Sequence, residues 1–520
     1  MIFINQSGGK PTDSHNPARE VTSKSDDPGR ILLIYPPSRT QVHSSCPVGM
    51  MMLAAVLENA NYKVHLLDAN AKGKIRSSEE IIRIARELQP DIIGITLLTP
   101  LVKEAYRLAS KLKGLGKKLM AGGPHATLLP EEPLAYGFDA VVVGEGEPTI
   151  IDAVKALGGL LPKEDVPGWV YRDENGRPRH TKPKPMVSHL DNLPLPARHL
   201  VNPLDYGPVT NSALYGNLFS SRGCPAKCAY CAGNLFGKRF RFRSAQSVLE
   251  EIQQVHDTYG VEHFHFVDDA MTMDKNRVKQ ICQGLLQADI NITWSMMTRI
   301  DTVNRELLEL VAEAGCVQID YGVESGHPDT LKRIHKPHTV EMVKNIIPLT
   351  AELGIRPYVF FILGFPWEGP DEIEETQSLM FELSAYVDNF HPALASILIP
   401  FPGTEIYEKH KDQYGFENWW LSSDRSYDAP SLKKHAYYES IMFKLGSVLD
   451  ADFFHYTPEV KERIYDVFKF MYLHNSYKSS RISRLIHRSI FELSEILSVF
   501  SPTLERMIFK PLIKTRQILS

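Results

Sequence analysis

Ser221–Cys231 reads SRGCPAKCAYC, with three cysteines inside eight residues and Gly223 and Pro225 beside the first of them. The stretch follows GNLFSSRG (216–223), an apolar segment of strand character, so the cysteines fall on a strand-end loop. Zinc normally takes four ligands, and the next candidates, His256 and Cys282, are far along the chain. A redox dithiol needs only Cys-x2-Cys and leaves Cys224 unexplained. A four-iron cluster held by three thiolates keeps one iron open to substrate. Three purely structural cysteines are the remaining reading. Cys46, Cys282 and Cys316 stand apart, and six cysteines in 520 residues are too few for a disulfide scaffold.

Downstream, SAQSVLEEIQQVHDTYG places Val248, Ile252 and Val255 on one helical face. Strand-like segments follow at HFHFVDD, ITWSMMTR, CVQIDYGVES, IRPYVFFILGFP and ALASILIPFPG, with helical patterns between them. These strand–helix units predict a partial (β/α)6 barrel over 209–425, with the cysteine loop at its catalytic end. Upstream, ILLIYPP, KVHLLDAN, DIIGITLL, KKLMAGGP and DAVVVGEGE alternate with helical stretches. Strands apolar on both faces and spaced by helices predict a doubly wound parallel sheet over 30–160. Residues 1–29 read as a disordered extension, 161–208 as a proline-rich linker with a small strand pair, and 426–520 as a helical region.

Composition narrows the class. A hydrophobic fraction of 43% with 23% charged residues is ordinary for a globular chain, and a net charge of −4 offers no global field for nucleic acid. No run reaches the roughly 18–20 apolar residues of a membrane span, and MIFINQSGGK is not a secretory leader. The expectation is a multidomain enzyme of the cytoplasm.

CPAKCAYC resembles the signature of the radical S-adenosylmethionine superfamily, Cys-x3-Cys-x-aromatic-Cys, with Tyr230 at the aromatic position. The resemblance implies that Cys224, Cys228 and Cys231 ligate a 4Fe-4S cluster, whose open iron binds S-adenosylmethionine and whose reduction releases a 5′-deoxyadenosyl radical. It also implies that Glu324 of GVESG accepts hydroxyls of the nucleoside ribose, a task suited to a carboxylate. GFPWE from Gly364 to Glu368, PFPGTEIY, FVDDAMTMD and Arg299 match further strand-end segments of such barrels. Arg299 reads either as a substrate contact or as a structural ion pair.

PPSR, PVGMMMLAAVLENANYKVHLLDA, DIIGIT, GGPHAT and DAVVVGEGE resemble the cobalamin-binding domain that precedes many of these barrels. The resemblance implies cofactor contacts from Asn70, Thr96, Gly122, Gly123 and Glu145. DANAKG keeps Asp68 and Gly73 of the Asp-x-His-x-x-Gly cobalt-ligand motif but has Asn70 in place of the histidine, so no protein imidazole is expected beneath the cobalt. A Rossmann dinucleotide reading lacks its G-x-G-x-x-G turn.

Members of this family methylate unactivated carbon, and others close rings, so a cobalamin-dependent C-methyltransferase is the leading expectation. A radical cyclase or oxidoreductase is the alternative, and a non-catalytic cobalamin or iron–sulfur carrier is the alternative of a different class. The partners this implies are a small-molecule substrate, such as a lipid or tetrapyrrole, and an electron donor such as flavodoxin or ferredoxin. GKRFRFRS reads as a strand beside the cysteines, its arginines near an anionic ligand, and HFHF as packing histidines; no nucleic acid is expected. The segment 478–520 carries eight Lys/Arg against three Glu, with apolar residues at helical spacing. It reads as a helix docked on the barrel or as a peripheral membrane contact.

Overall fold

The computed structural model describes residues 29–38, 45–71, 74–206, 215–237, 239–288, 290–386, 391–422 and 452–475, with scattered positions between 493 and 508. Strands β1 (Arg30–Tyr35), β2 (Lys63–Asp68), β3 (Ile92–Thr96), β4 (Lys118–Gly122) and β5 (Ala140–Val142) form a parallel sheet in the order β2-β1-β3-β4-β5. Side-chain alternation divides its two faces. Ile31 and Leu33 join the core against helices Val48–Asn59 and Ile150–Leu157, whereas Leu32 and Ile34 pack toward Ser78–Leu88 and Val102–Lys113. Helix Ser78–Leu88 starts where Ser77 Oγ accepts from Glu80 N at 3.2 Å and stops at Gln89, whose φ of 47° ends it before Pro90.

The strand pair from 161–208, β6 (Trp169–Arg172) and β7 (Pro178–His180), adds antiparallel to β5, so this segment extends the first sheet. Trp169, 1% exposed, anchors β6 through Nε1 to the Lys163 carbonyl at 2.9 Å. The rest of the segment crosses back over the first domain, with Ala197 N bonded to Met51 O at 3.0 Å.

The second sheet is parallel throughout. It comprises β8 (Asn217–Leu218), β11 (His263–Phe266), β12 (Thr293–Thr298), β13 (Cys316–Glu324), β14 (Arg356–Leu363) and β15 (His391–Ile397), ordered β8-β11-β12-β13-β14-β15. The end strands β8 and β15 do not pair, which leaves a six-stranded open barrel. Phe264, Phe266, Trp294 and Met296 are fully buried on the convex side under the helices, while His263, His265 and Met297 take the concave side. His263 Nδ1 and His265 Nδ1 each sit 2.8 Å from a neighbouring hydroxyl, of Thr293 and Ser295, so both are held by hydrogen bonds.

GNLFSSRG, one strand by its pattern, is two. Ser220 N, at 2.7 Å, and both serine hydroxyls of Ser220 and Ser221 donate to Asp268 at the end of β11, which pulls the chain off the ladder. The displaced piece, β9 (Ser221–Arg222), pairs antiparallel with β10 (Arg241–Phe242) and makes the cysteine loop the tip of a hairpin. Beyond 426, helix Pro458–Asn475 packs against β15 and helix Pro370–Tyr386; the rest of the region expected to be helical lies largely outside the described residues.

Candidate active site

The cysteine loop is built for close backbone approach. Gly223 has φ 81°, and a Cβ there would lie 2.6 Å from Arg239 O and 2.9 Å from Gly237 O, so only glycine lets the two sides of the hairpin meet before Cys224. Cys231 Sγ accepts from Gly233 N at 3.1 Å, and Cys231 N donates to Cys228 O. Burial pushes the Cys228 thiol up, and it pushes Cys231 up to about 11; Cys228 also feels the charge of Cys224, and Cys231 that of both Cys224 and Cys228. Iron binding therefore displaces their protons. Among the described residues no three His, Cys, Asp or Glu side chains converge on a single ion. A four-iron cube takes its thiolates at separate corners, and three cysteines spread over one loop suit it better than zinc.

Behind the loop, Ala229 joins three motifs. Its N–H donates to Ile334 O at 3.1 Å, and its carbonyl accepts from Ile406 N at 3.0 Å, just after PFPGT. Tyr230 packs edge-on against Phe365 of GFPWE at 6.3 Å between centroids. Glu324 ends β13 with φ 71°, a left-handed conformation rare outside glycine and concentrated at functional sites. Burial and the Glu324 charge raise the Tyr230 phenol far above its ordinary range, so it stays protonated.

Lys336, unmarked in the sequence, completes this site. Its Nζ is 3.0 Å from Glu324 Oε1, 3.0 Å from Gly322 O and 5.8 Å from the Tyr230 ring centroid, with both charged side chains under a tenth exposed. Burial opposes the charge on Lys336, but Glu324 and Cys228 outweigh it and raise its pKa. His338, lowered to about 4 by burial, is neutral and donates Nε2–H to Val323 O, holding the strand end. Arg299 makes a two-pronged ion pair with Asp301 at 2.9 and 2.7 Å and also lies beside Cys224. It is thus an ion-paired residue at the cluster loop.

Gly364 opens the GFPWE turn, where Glu368 Oε2 accepts from Gly364 N at 2.9 Å and Phe365 N at 3.1 Å. The Tyr456 hydroxyl caps the Gly364 carbonyl, so residues beyond 450 help hold this loop. Burial pushes the Glu368 carboxyl up to about 7. Because its folded pKa lies above its unfolded one, it stabilises the fold fully below about pH 4.5 and loses that contribution as pH rises through 7. Glu368→Gln keeps an acceptor for both amides and is expected to abolish this slope. From pH 5 to 8 the unfolding stability of the parent should fall by about 2–3 kcal/mol relative to that of the variant.

In the first domain the chain reverses between β1 and β3, which opens a crevice at the carboxyl ends of those strands. Asn70 lies there, its amide committed on both sides: Nδ2 donates to Pro36 O at 2.9 Å and Oδ1 accepts from Ser38 N at 2.7 Å. Gly73 lies outside the described residues. Thr96 and Gly123 pack on each other; with φ 95° at Gly123, a Cβ would meet Thr96 Oγ1 at 2.6 Å and Leu97 O at 3.0 Å. A Cβ at Gly122 would meet nothing nearer than Val142 Cβ at 4.0 Å, so space beside this glycine is open. His125 of GGPHAT is fully buried between Thr99 Oγ1 and Glu132 Oε1, at 3.1 and 2.9 Å. Glu132 also accepts from Tyr106 and from Trp420 of the barrel.

Glu145 stands elsewhere, in the seam between domains. Its carboxylate takes Arg222 at 3.1 Å, Arg241 at 2.9 Å and Val187 N at 2.7 Å. Burial works against its charge, but the two arginines outweigh it and hold its pKa below the usual carboxylate range. Two of the three arginines of GKRFRFRS accordingly meet protein carboxylates, Arg241 on Glu145 and Arg243 on Glu251. The crevice over β1 and β3 and the cysteine loop thus belong to domains joined by buried polar contacts.

The geometry agrees with the comparisons. Residues 218–380 match the radical SAM superfamily, and residues 42–154 match the B12 binding domain. An uncharacterised methyltransferase of Pyrococcus horikoshii is 31% identical over 389 residues, 73% of this chain and 82% of that protein. The cytidylyl-2-hydroxyethylphosphonate methyltransferase of Streptomyces wedmorensis is 30% identical, covering 67% of this chain and 76% of the relative. The cobalamin-dependent S-adenosylmethionine radical enzyme OxsB, solved with aqua-cobalamin and S-adenosylmethionine, shares the fold at TM-score 0.65 and 18% identity, over 91% of this chain and 76% of its own. The chain therefore belongs to the cobalamin-binding radical S-adenosylmethionine enzymes, which work with a 4Fe-4S cluster, S-adenosylmethionine and cobalamin.

Proposed function

We propose that this protein transfers a methyl group to an unactivated carbon of a small molecule. The observation that carries this reading is the arrangement of the two domains: the cysteine hairpin is joined through Arg222 and Arg241 to the strand-end loop of the cobalamin sheet. When bound, the cluster and S-adenosylmethionine supply a 5′-deoxyadenosyl radical and cobalamin supplies the methyl group. The chain's own residues bind and orient. Cys224, Cys228 and Cys231 hold the cluster, Glu324 accepts ribose hydroxyls while Lys336 keeps its carboxylate in place, and Tyr230 and Phe365 form an apolar wall that excludes water. An external electron donor, such as a flavodoxin or ferredoxin, supplies the reducing electron.

Methylthio transfer would need a second iron–sulfur cluster on three further clustered cysteines, whereas Cys46, Cys282 and Cys316 are each buried, Cys46 in the first domain and the other two in the barrel. Anaerobic reconstitution with iron, sulfide, cobalamin, S-adenosylmethionine and reductant is the test. Formation of both 5′-deoxyadenosine and S-adenosylhomocysteine supports methyl transfer, deoxyadenosine alone supports cyclisation, and neither supports a carrier.

Asn70, tied to Pro36 and Ser38, has no free donor for cobalt, and both His125 nitrogens are engaged. Neither residue is then expected to be a lower ligand of the cobalt. The EPR spectrum of the cob(II)alamin form is expected to be the same whether the protein's histidines carry 14N or 15N, and a lower-ligand nitrogen splitting that changes with that label would refute the assignment.

A membrane-surface contact by 478–520 is a further part of the proposal. Leu493, Ile496, Leu504 and Met507 are helical positions exposed by 49%, 55%, 46% and 70%, in a segment with a Lys/Arg excess. No described helix is long and apolar enough to cross a membrane. Liposome co-sedimentation that is lost on deleting 478–520 is the expected result; retention after deletion would place the contact elsewhere.

A further inference from the structure

Arg222 and Arg241 occupy directly opposed positions of the β9–β10 pair. Two cations facing each other across a hairpin repel. Here two carboxylates from the other domain separate them: Glu147 Oε1 lies 2.5 Å from Arg222 Nη2, and Glu145 bridges Arg222 Nη1 and Arg241 Nη1. None of the four side chains is more than 14% exposed. Arg241 Nη1 also donates to Val187 O at 2.7 Å, and Val187 N donates back to Glu145, which closes the arrangement with backbone. Arg222 Nη2 further reaches Met52 Sδ, at 3.5 Å, on the first helix of the cobalamin domain.

Burying four charges is a poor way to gain stability, since desolvation consumes most of the Coulomb attraction. What such a quartet does provide is register, because a forked guanidinium between two fixed carboxylates tolerates little displacement. Its placement is specific. Arg222 lies two residues before Cys224, Arg241 closes the same hairpin, and Glu145 and Glu147 sit on the strand-end loop after β5. The other contact near this loop, Gly403, whose Cβ would meet Leu128 of the cobalamin domain at 2.5 Å, is apolar and has no forked charge to fix register.

We infer that Arg222, Arg241, Glu145 and Glu147 are positioning residues that hold the cysteine loop at a set distance and angle from the cobalamin sheet, and so couple radical generation to methyl transfer. This rests on the methyl-transfer reading, but its test does not. The probe is the full-length protein loaded with cluster and cobalamin, compared as parent, Arg222→Lys, Glu145→Gln/Glu147→Gln and the swap Arg222→Glu/Glu147→Arg. Lysine keeps the charge of residue 222 but cannot fork between two carboxylates.

The first readout is the magnetic dipolar coupling between reduced cluster and cob(II)alamin, which reports their separation whatever the reaction. It is expected to change or broaden in Arg222→Lys and in the double glutamine variant, and to return toward the parent in the swap. The second is methylated product, followed as S-adenosylhomocysteine, per 5′-deoxyadenosine. It is expected to fall about tenfold to a hundredfold, since misplacement by an ångström costs as much. Parental coupling in both Arg222→Lys and the glutamine variant would overturn the proposal. If the glutamine variant fails to take up cofactor, the lysine variant decides. Changed coupling without any S-adenosylhomocysteine in the parent would leave the clamp standing and refute methyl transfer.

Discussion

Replacing Cys224, Cys228 and Cys231 together by alanine is expected to abolish all iron–sulfur absorbance of the reconstituted protein and, with it, all cleavage of S-adenosylmethionine. The cause is local. These three thiols share one hairpin tip and sense one another's charge, whereas Cys46, Cys282 and Cys316 are buried, burial pushing Cys282 up to about 12 and Cys316 well above the ordinary thiol range. A thiol buried in apolar surroundings is a poor substitute ligand. Any residual 4Fe-4S spectrum in the triple variant would show that other groups hold the cluster. The fold should tolerate the change, because the loop's backbone is secured by Ala229, Gly223 and the β9–β10 pair and loses a single bond to sulfur, from Gly233 N to Cys231 Sγ. An unchanged far-ultraviolet circular dichroism spectrum checks this.

The second large effect is at Lys336. Lys336→Met leaves the Glu324 carboxylate buried beside the cysteine loop without its cation, and removing one partner of a buried pair costs about 3–5 kcal/mol. Lys336→Met/Glu324→Gln removes the uncompensated charge and is expected to recover most of that loss in denaturant unfolding. Binding should behave differently. If Glu324 accepts ribose hydroxyls, the double variant regains stability but not affinity. S-adenosylmethionine then binds about ten- to a hundredfold more weakly to the cluster-loaded protein, the worth of hydrogen bonds to a charged group. Recovery of both together would reduce Glu324 to a structural acid. The left-handed backbone at Glu324 argues against that, since strain of this kind is retained where geometry is needed.

The candidate site residues were legible because the chemistry proposed for them is local. CPAKCAYC, GVES and GFPWE each place their functional atoms within a few residues, at strand ends that hydrophobic period alone locates. The doubly wound sheet and the open barrel were legible for the same reason: continuous apolar strands spaced by helices admit few arrangements. GNLFSSRG was less readable. Its pattern is that of one strand, and its break at Ser220 is imposed by Asp268, a residue 48 positions away.

Glu145 shows where reading along the chain stops. Its strand-end loop suggested a cofactor contact, yet its carboxylate is engaged by Arg222 and Arg241, 77 and 96 residues further on. Lys336 carried no signal of its own, because a lysine in RIHKPHT looks solvated until β13 is laid against it.

The sequence by itself therefore determined the two folds, and it named the candidate cluster ligands and the asparagine at position 70, since each depends on residue type at short spacing. Only the tertiary structure decided which charges face each other: Lys336 on Glu324, and Arg222 and Arg241 on Glu145 and Glu147. The physical reason is that burial makes an ion pair consequential, and burial is a property of packed elements that no stretch of chain contains.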